Sequence, residues 1–188
     1  IVARADIAFS DIDLVVTTRG PGTFTGLRVG LSAARSFALA LDVPLMAIST
    51  LEALARGYVD KGGQDFSGAV AVIIESKRSD YYFQLFNAEG GALCQPAALS
   101  AQEVLDAIKG YSGIIIGDAQ VRFQEEVSKT SFSSFRFIKE EGDKPDPLIL
   151  ARLGSFAHGN EDYGDTSPLY LRGADVSQPK ASPRKLEQ

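Results

Sequence analysis

The stretch from Ala69 to Phe86 constrains the fold of this chain most. Ala69-Val-Ala-Val-Ile-Ile-Glu75 is a short apolar run. After a polar turn, Asp80 to Phe86 comes back with partial alternation, Tyr81, Phe83 and Leu85 against Tyr82, Gln84 and Phe86. Two such runs so close together predict an antiparallel hairpin. Asn87-Ala-Glu-Gly-Gly91 is a turn, and Ala92 to Pro96 is expected as a third strand. Ser100 is placed to cap a helix to Lys109, with Glu103 at the capping-box spacing. A buried strand over Gly113–Gly117, a helix over Ala119–Lys129, a strand over Phe135–Ile138 and a helix over Pro147–His158 complete the order β-β-β-α-β-α-β-α.

The part before residue 61 has another rhythm. Asp13-Leu-Val-Val-Thr-Thr18 is β-branched and apolar on both sides, as in a buried parallel strand. Arg19-Gly-Pro-Gly-Thr-Phe-Thr-Gly26 is dense in turn residues, and Thr25 is placed as an N-cap for a helix to Leu41. On that helix Leu27, Leu31, Ala34, Ala38 and Leu41 make one apolar stripe. Val29, Ala33, Phe37 and Ala40 make a second apolar side, which needs a cover beyond the helix's own sheet. Pro44–Ile48 is a strand, and Ser49 or Thr50 caps a helix to Val59. Lys61-Gly-Gly-Gln-Asp65 then reads as a turn or linker.

A β-meander followed by alternating helix and strand is the pattern of ribonuclease H-like domains, two of which make an actin-like ATPase (ASKHA) fold. The expected class is α/β with two such domains: residues 1–60 as the remainder of the first, βαβα, and 66–172 as the second. Residues 173–188, with Gln178-Pro-Lys-Ala-Ser-Pro-Arg-Lys185, are expected to be a flexible tail. The first half lacks a β-β-β-α of its own. The expectation is that roughly 50–60 residues precede Ile1 in a longer protein, because a mixed sheet needs strands on both sides of its first buried one.

Charge and rare residues exclude several functions. The chain carries 19 basic and 24 acidic residues, net −5. Such a chain is a poor binder of nucleic-acid phosphates by itself, since that affinity comes from Lys and Arg. One cysteine, Cys94, allows no intrachain disulfide and fits a reducing, cytoplasmic setting. One Cys and one His, His158, are too few for structural zinc. H-E-x-x-H and G-x-S-x-G are both absent, which disfavours a peptidase. No apolar run reaches membrane-span length.

The candidate sites leave alternatives open. Gly20–Gly26 follows a strand and opens a helix, where phosphate binds well. It lacks the Gly-Lys-Ser/Thr of a P-loop, since Gly26 precedes Leu27 and Arg28. It is either a rigid structural turn or a ligand or partner contact. Glu75, Lys77, Arg78 and Asp80 cluster at the hairpin tip and read as a solvated turn. Gly117-Asp118-Ala119 ends a strand before a helix, where ligands of open α/β sheets gather, so Gly117 and Asp118 are candidate nucleotide contacts. His158 reads as a helix C-terminal residue favourable to the dipole, and Cys94 as packing.

Gly20-Pro-Gly-Thr-Phe-Thr-Gly-Leu-Arg-Val-Gly-Leu31 followed by Pro44-Leu-Met-Ala-Ile-Ser-Thr-Leu-Glu-Ala-Leu54 resembles the bacterial TsaB family, often called glycoprotease homologues. Glu75-Ser-Lys-Arg-Ser-Asp-Tyr-Tyr82, Gly117-Asp-Ala119 and Pro168-Leu-Tyr-Leu-Arg172 follow in the family's order. The loop signature is Gly20, Pro21, Gly22, Thr23, Phe24, Thr25, Gly26 and Arg28. Glu75-Ser-Lys77 departs from the family's common Asp-Ala-Arg. The resemblance implies a non-catalytic scaffold that pairs with TsaD, works with the ATPase TsaE, and forms a homodimer in their absence. The complex transfers threonylcarbamoyl to the tRNA adenosine after the anticodon. The resemblance places the interface on helix 26–41, at Leu27, Gly30, Leu31, Ala34, Arg35 and Ala38. It implies no catalytic residue and no metal in this subunit, ATP or ADP only at the complex interface, indirect contact with tRNA, and no DNA or membrane partner. The rival reading is a stand-alone actin-like ATPase or small-molecule kinase using the interdomain cleft.

Overall fold

A computed structural model describes residues 2–61, 68–128, 134–138, 143–160 and 162–172. The expected linker after Lys61, the helix end at Lys129 and the tail 173–188 lie outside the described residues. The chain opens with a short helix α1 (Val2–Ala5) and a 3-10 turn at Phe9–Asp11. The elements that follow are β1 (Val15–Thr18), α2 (Phe24–Leu41), β2 (Leu45–Ile48) and α3 (Thr50–Asp60). Then come β3 (Ala69–Glu75), β4 (Tyr81–Phe86), β5 (Ala97–Leu99), α4 (Ala101–Ala107), β6 (Gly113–Ile116), α5 (Gln120–Val127), β7 (Phe135–Phe137) and α6 (Pro147–Gly159).

The fold is α/β with a mixed five-stranded sheet in the order β5-β4-β3-β6-β7 and a two-stranded parallel sheet, β1-β2. The expected hairpin pairs Val70 with Phe86 through Glu75 with Tyr81. β6 and β7 add in parallel on the other side of β3. β3 is buried on both faces, so its side chains divide by parity. Ala69, Ala71 and Ile73 face a core with Phe83, Ile115, Val104 and Phe123, under α4 and α5. Val70, Val72 and Ile74 face Leu51, Leu54 and Ala55 of α3. A helix of the first half thus covers one face of the second half's sheet. Leu51 is fully enclosed there, worth about 1.5–3 kcal/mol of apolar burial. α2 packs on β1 and β2, and α6 packs on β1 and α3. Among the described residues no helix is long and apolar enough to cross a membrane.

Two local expectations are corrected. The third strand is Ala97–Leu99, pairing with Tyr81–Phe83, and not Ala92–Pro96. Only Ala92 of the earlier run makes a bridge, to Phe86. Gln84 Nε2 donates to the Cys94 carbonyl, and Pro96 has no N–H to give a ladder. α2 starts two residues earlier than expected, with Thr23 at the N-cap and Thr25 inside the helix. The capping box at Ser100 is formed as its spacing indicates: Glu103 N–H donates to Ser100 Oγ at 3.4 Å, and Ser100 N–H to Glu103 at 2.8 Å.

Candidate functional site

Three segments far apart in sequence line one cleft of about 670 Å³. They are Pro21–Thr25 with Leu27 and Arg28 at the start of α2, the turn Glu75–Arg78 with Tyr82, and Leu169–Arg172. The loop signature therefore faces the hairpin tip across open space.

The loop is set by its backbone. Gly20 has φ +100°, and a Cβ there would stand 3.1 Å from both the Leu169 carbonyl and a Leu27 methyl. Its carbonyl accepts from Thr50 N–H at 2.7 Å, while Leu169 N–H donates to the Arg19 carbonyl at 2.7 Å. The segment 165–172 is strapped along the first half by three arginines. Arg19 Nη1 donates to Asp165 at 2.6 Å, Arg35 Nη2 to the Thr166 carbonyl at 2.9 Å, and Arg28 Nε to the Tyr170 hydroxyl at 3.1 Å. The Arg28 guanidinium also lies 3.8 Å over the Phe24 ring.

The hairpin tip is more than a solvated turn. Asp80 is only 9% exposed and pairs with Arg172, while Ser76 Oγ donates to the Asp80 carbonyl at 2.7 Å. Arg122 of α5 holds the same tip, donating to Glu75 at 2.8 Å, the Arg78 carbonyl at 3.1 Å and the Asp80 carbonyl at 2.9 Å. Lys77 stays exposed, in a left-handed conformation with φ +60°. No spacing in the sequence marks Arg122, because its partners lie more than forty residues away.

Gly117 and Asp118 sit behind this turn. Gly117 has φ +109°, and a Cβ there would meet the Ile73 carbonyl at 2.1 Å, so backbone packing alone requires this glycine. Asp118 Oδ1 accepts from Glu75 N–H at 2.8 Å. The protein around the Asp118 carboxyl pushes it above the usual carboxylate range, and the Glu75 N–H pulls the other way. Neither residue lines the cleft. His158 Nδ1 is 2.9 Å from the Tyr163 hydroxyl, and Cys94 Sγ accepts from Leu85 N–H at 3.3 Å.

The proposed interface residues of α2 fall on different sides. Leu31, Ala34 and Ala38 are buried and Leu27 is half-buried, against the chain's own strands. Arg35 grips the strap, and Gly30 is exposed. The second apolar side lies open: Val29 is 63% and Phe37 54% exposed, and Ala33 and Ala40 are exposed beside them. The burial of Leu31, Ala34 and Ala38 has a plain cause. The two-stranded sheet needs one full helix face, and their stripe supplies it. Among the described residues, no three His, Cys, Asp or Glu side chains come together as metal ligands would.

A family model described as TsaD, tRNA N6-adenosine threonylcarbamoyltransferase, matches residues 1–138. The tRNA threonylcarbamoyladenosine biosynthesis protein TsaB of Bacillus subtilis is 36% identical over 90 residues, which is 48% of this chain and 37% of that protein. The TsaB protein of Escherichia coli is 31% identical over 83 residues, 44% of this chain and 35% of that protein. The aligned segments thus span little more than a third of these curated relatives. The solved structure of YeaZ from Pseudomonas aeruginosa shares the fold, with TM-score 0.71 and 23% identity, over 91% of this chain and 80% of that one. A second solved structure, an uncharacterized protein with similarity to peptidase YEAZ, also from Pseudomonas aeruginosa, aligns with TM-score 0.74 and 23% identity over 91% and 79% of the two chains. On the match over residues 1–138 and the identities to TsaB proteins, this chain belongs to the TsaD/TsaB family of glycoprotease homologues.

Proposed function

We propose that this chain is a non-catalytic scaffold subunit in the transfer of threonylcarbamoyl to tRNA adenosine, and that it acts by docking a TsaD-type partner. The observation that carries the reading is the open row Val29, Ala33, Phe37 and Ala40 on α2. Its residues recur at +4, +4 and +3, the spacing of one helix face. Two large apolar side chains beside small ones let a second helix approach closely and bury them, which makes a core for an interface. Gly26 and Gly30 flank the row and keep it low. On this reading residues 1–60 are the remainder of a first actin-like domain and 66–172 a second. TsaE joins through TsaD, and ATP or ADP belongs to the subunit junction. Without TsaD the same row pairs two copies. Contact of this chain with tRNA is indirect, in keeping with its net charge of −5.

The experiment is co-purification with TsaD, with tRNA modification as the readout. Phe37→Arg and Val29→Arg are expected to abolish the complex and the modification while leaving the circular dichroism spectrum intact. Full modification with Phe37→Arg, or nucleotide hydrolysis by this chain alone, overturns the reading.

A further inference from the structure

We propose that a second pocket, between α3, α6 and β2, binds a small aliphatic diamine. The pocket holds about 560 Å³ and shares no lining residue with the cleft. The argument starts from a cap that is not made. Ser49 and Glu52 have the Ser-x-x-Glu spacing of a capping box at the start of α3. The same spacing closes a box at Ser100 and Glu103. At α3 the Ser49 side chain makes no cap hydrogen bond, and its Oγ is shut off from solvent without a partner. Glu52 makes no hydrogen bond or ion pair among the described residues. A buried hydroxyl without a partner costs free energy, and so does a missing cap. Both residues instead border the pocket, one turn apart on the same face of α3.

Two arginines share the lining, and each is engaged elsewhere. Arg19 pairs with Asp165 at 2.6 Å. Arg56 stands four residues after Glu52, the spacing of a helical ion pair. Its Nη1 donates instead to the Glu89 carbonyl at 2.6 Å, in the turn between β4 and β5. Gly90 of that turn lies against it, since a Cβ there would stand 3.0 Å from Arg56 Nε. Asp162, on the rim beyond α6, is exposed and makes no ion pair among the described residues. The same rim carries the C-terminal end of α6, the negative end of its dipole. A carboxylate without a bonded cation thus stands on each wall. Between them lie Met46, Leu153 and Phe156, the last 78% exposed. An ammonium brings three donors to such acceptors, a methylene arm covers the apolar strip, and an aromatic face attracts the cation. Two separate carboxylates call for two ammonium groups. No three acidic side chains are gathered as metal ligands would be among the described residues, which points to an organic cation and not a bare ion.

The test is titration calorimetry on the full chain at about 0.15 M salt, with cadaverine, pentylamine and 1-pentanol as probes of two, one and no charges. Cadaverine is expected to bind saturably, pentylamine several-fold more weakly, and pentanol not at all. Glu52→Gln and Asp162→Asn are each expected to lose about tenfold in cadaverine affinity. Asp162 is exposed, so its variant keeps the wild-type melting curve, which separates lost binding from lost folding. Phe37→Arg keeps cadaverine binding, so this site stands or falls apart from the partner face. Ser49→Ala is expected to leave the melting midpoint where it is, while Ser100→Ala lowers it. Absence of saturable cadaverine binding, pentanol binding as well as cadaverine, or affinity unchanged in both carboxylate variants would overturn the proposal. Pentylamine binding as tightly as cadaverine would overturn the diamine. An equal drop in midpoint for Ser49→Ala and Ser100→Ala would show the α3 cap to be made in solution and remove the ground for the site.

Discussion

Ala34 and Phe37 stand one turn apart on α2, yet Ala34 is 7% exposed beneath the helix and Phe37 54% exposed on its open side. Arginine at the two positions should therefore do different things. Ala34→Arg forces a charge into a filled, apolar contact and is expected to cost about 3 kcal/mol of stability. Phe37→Arg is expected to change the urea midpoint little and to lose partner binding. Equal loss of stability in both variants would put Phe37 inside a packed core.

Gly20 is expected to resist substitution. Its φ of +100° is one that L side chains rarely adopt, and Leu169 and Leu27 leave its Cβ position tight. Gly20→Ala should cost about 1–3 kcal/mol. The change should also loosen the strap, seen as faster amide exchange at Leu169. Slow exchange at Leu169 in a destabilised variant would show that the loop and strap are not coupled.

Arg122 ties α5 to the hairpin tip through Glu75 and two carbonyls, and stacks over Tyr81 with its guanidinium carbon 3.9 Å from the ring centroid. Arg122→Ala is expected to cost about 2 kcal/mol, because several charge-assisted bonds go at once in a half-buried site. Arg122→Lys should recover less than half of this, since a single ammonium nitrogen cannot span the three acceptors that Nε, Nη1 and Nη2 reach separately. Full rescue by lysine would mean that only the charge matters.

Acid should release the strap before it unfolds the chain. The Ser167 hydroxyl and N–H, then Arg19, hold the Asp165 carboxyl well below its ordinary value, at about 2. A lowered folded value favours the ionised, folded form. Its contribution is complete above the ordinary value of 3.8 and drains away as pH falls toward about 2. An NMR titration of Asp165 should place its midpoint near 2, and Asp165→Asn should remove that step. A midpoint near 3.8 would mean that the strap contact does not persist in solution.

Local chemistry was enough to read β3, the Ser100 capping box and the strand–helix alternation, because each is fixed by neighbours within a few residues. The open row Val29, Ala33, Phe37 and Ala40 was legible as a second apolar side. Which of the two sides the chain would keep for itself was not. Periodicity gives the angle between two stripes on a helix but not the position of the sheet. The β1-β2 pair decided it by taking Leu31, Ala34 and Ala38. The third strand moved for a similar reason: pairing with Tyr81–Phe83 favoured Ala97–Leu99 over the run that contains Cys94.

The sequence by itself determined most of the elements, their order and the blocks that mark the family, since these rest on side-chain pattern and turn chemistry along the chain. Only the tertiary structure decided that Arg28, Lys77 and Arg172 border one space, that Arg122 anchors the turn between them, and that α3 serves the second sheet. These relations join residues of different elements, well separated along the chain. Backbone folding brings such residues together, and no local rule records their distance.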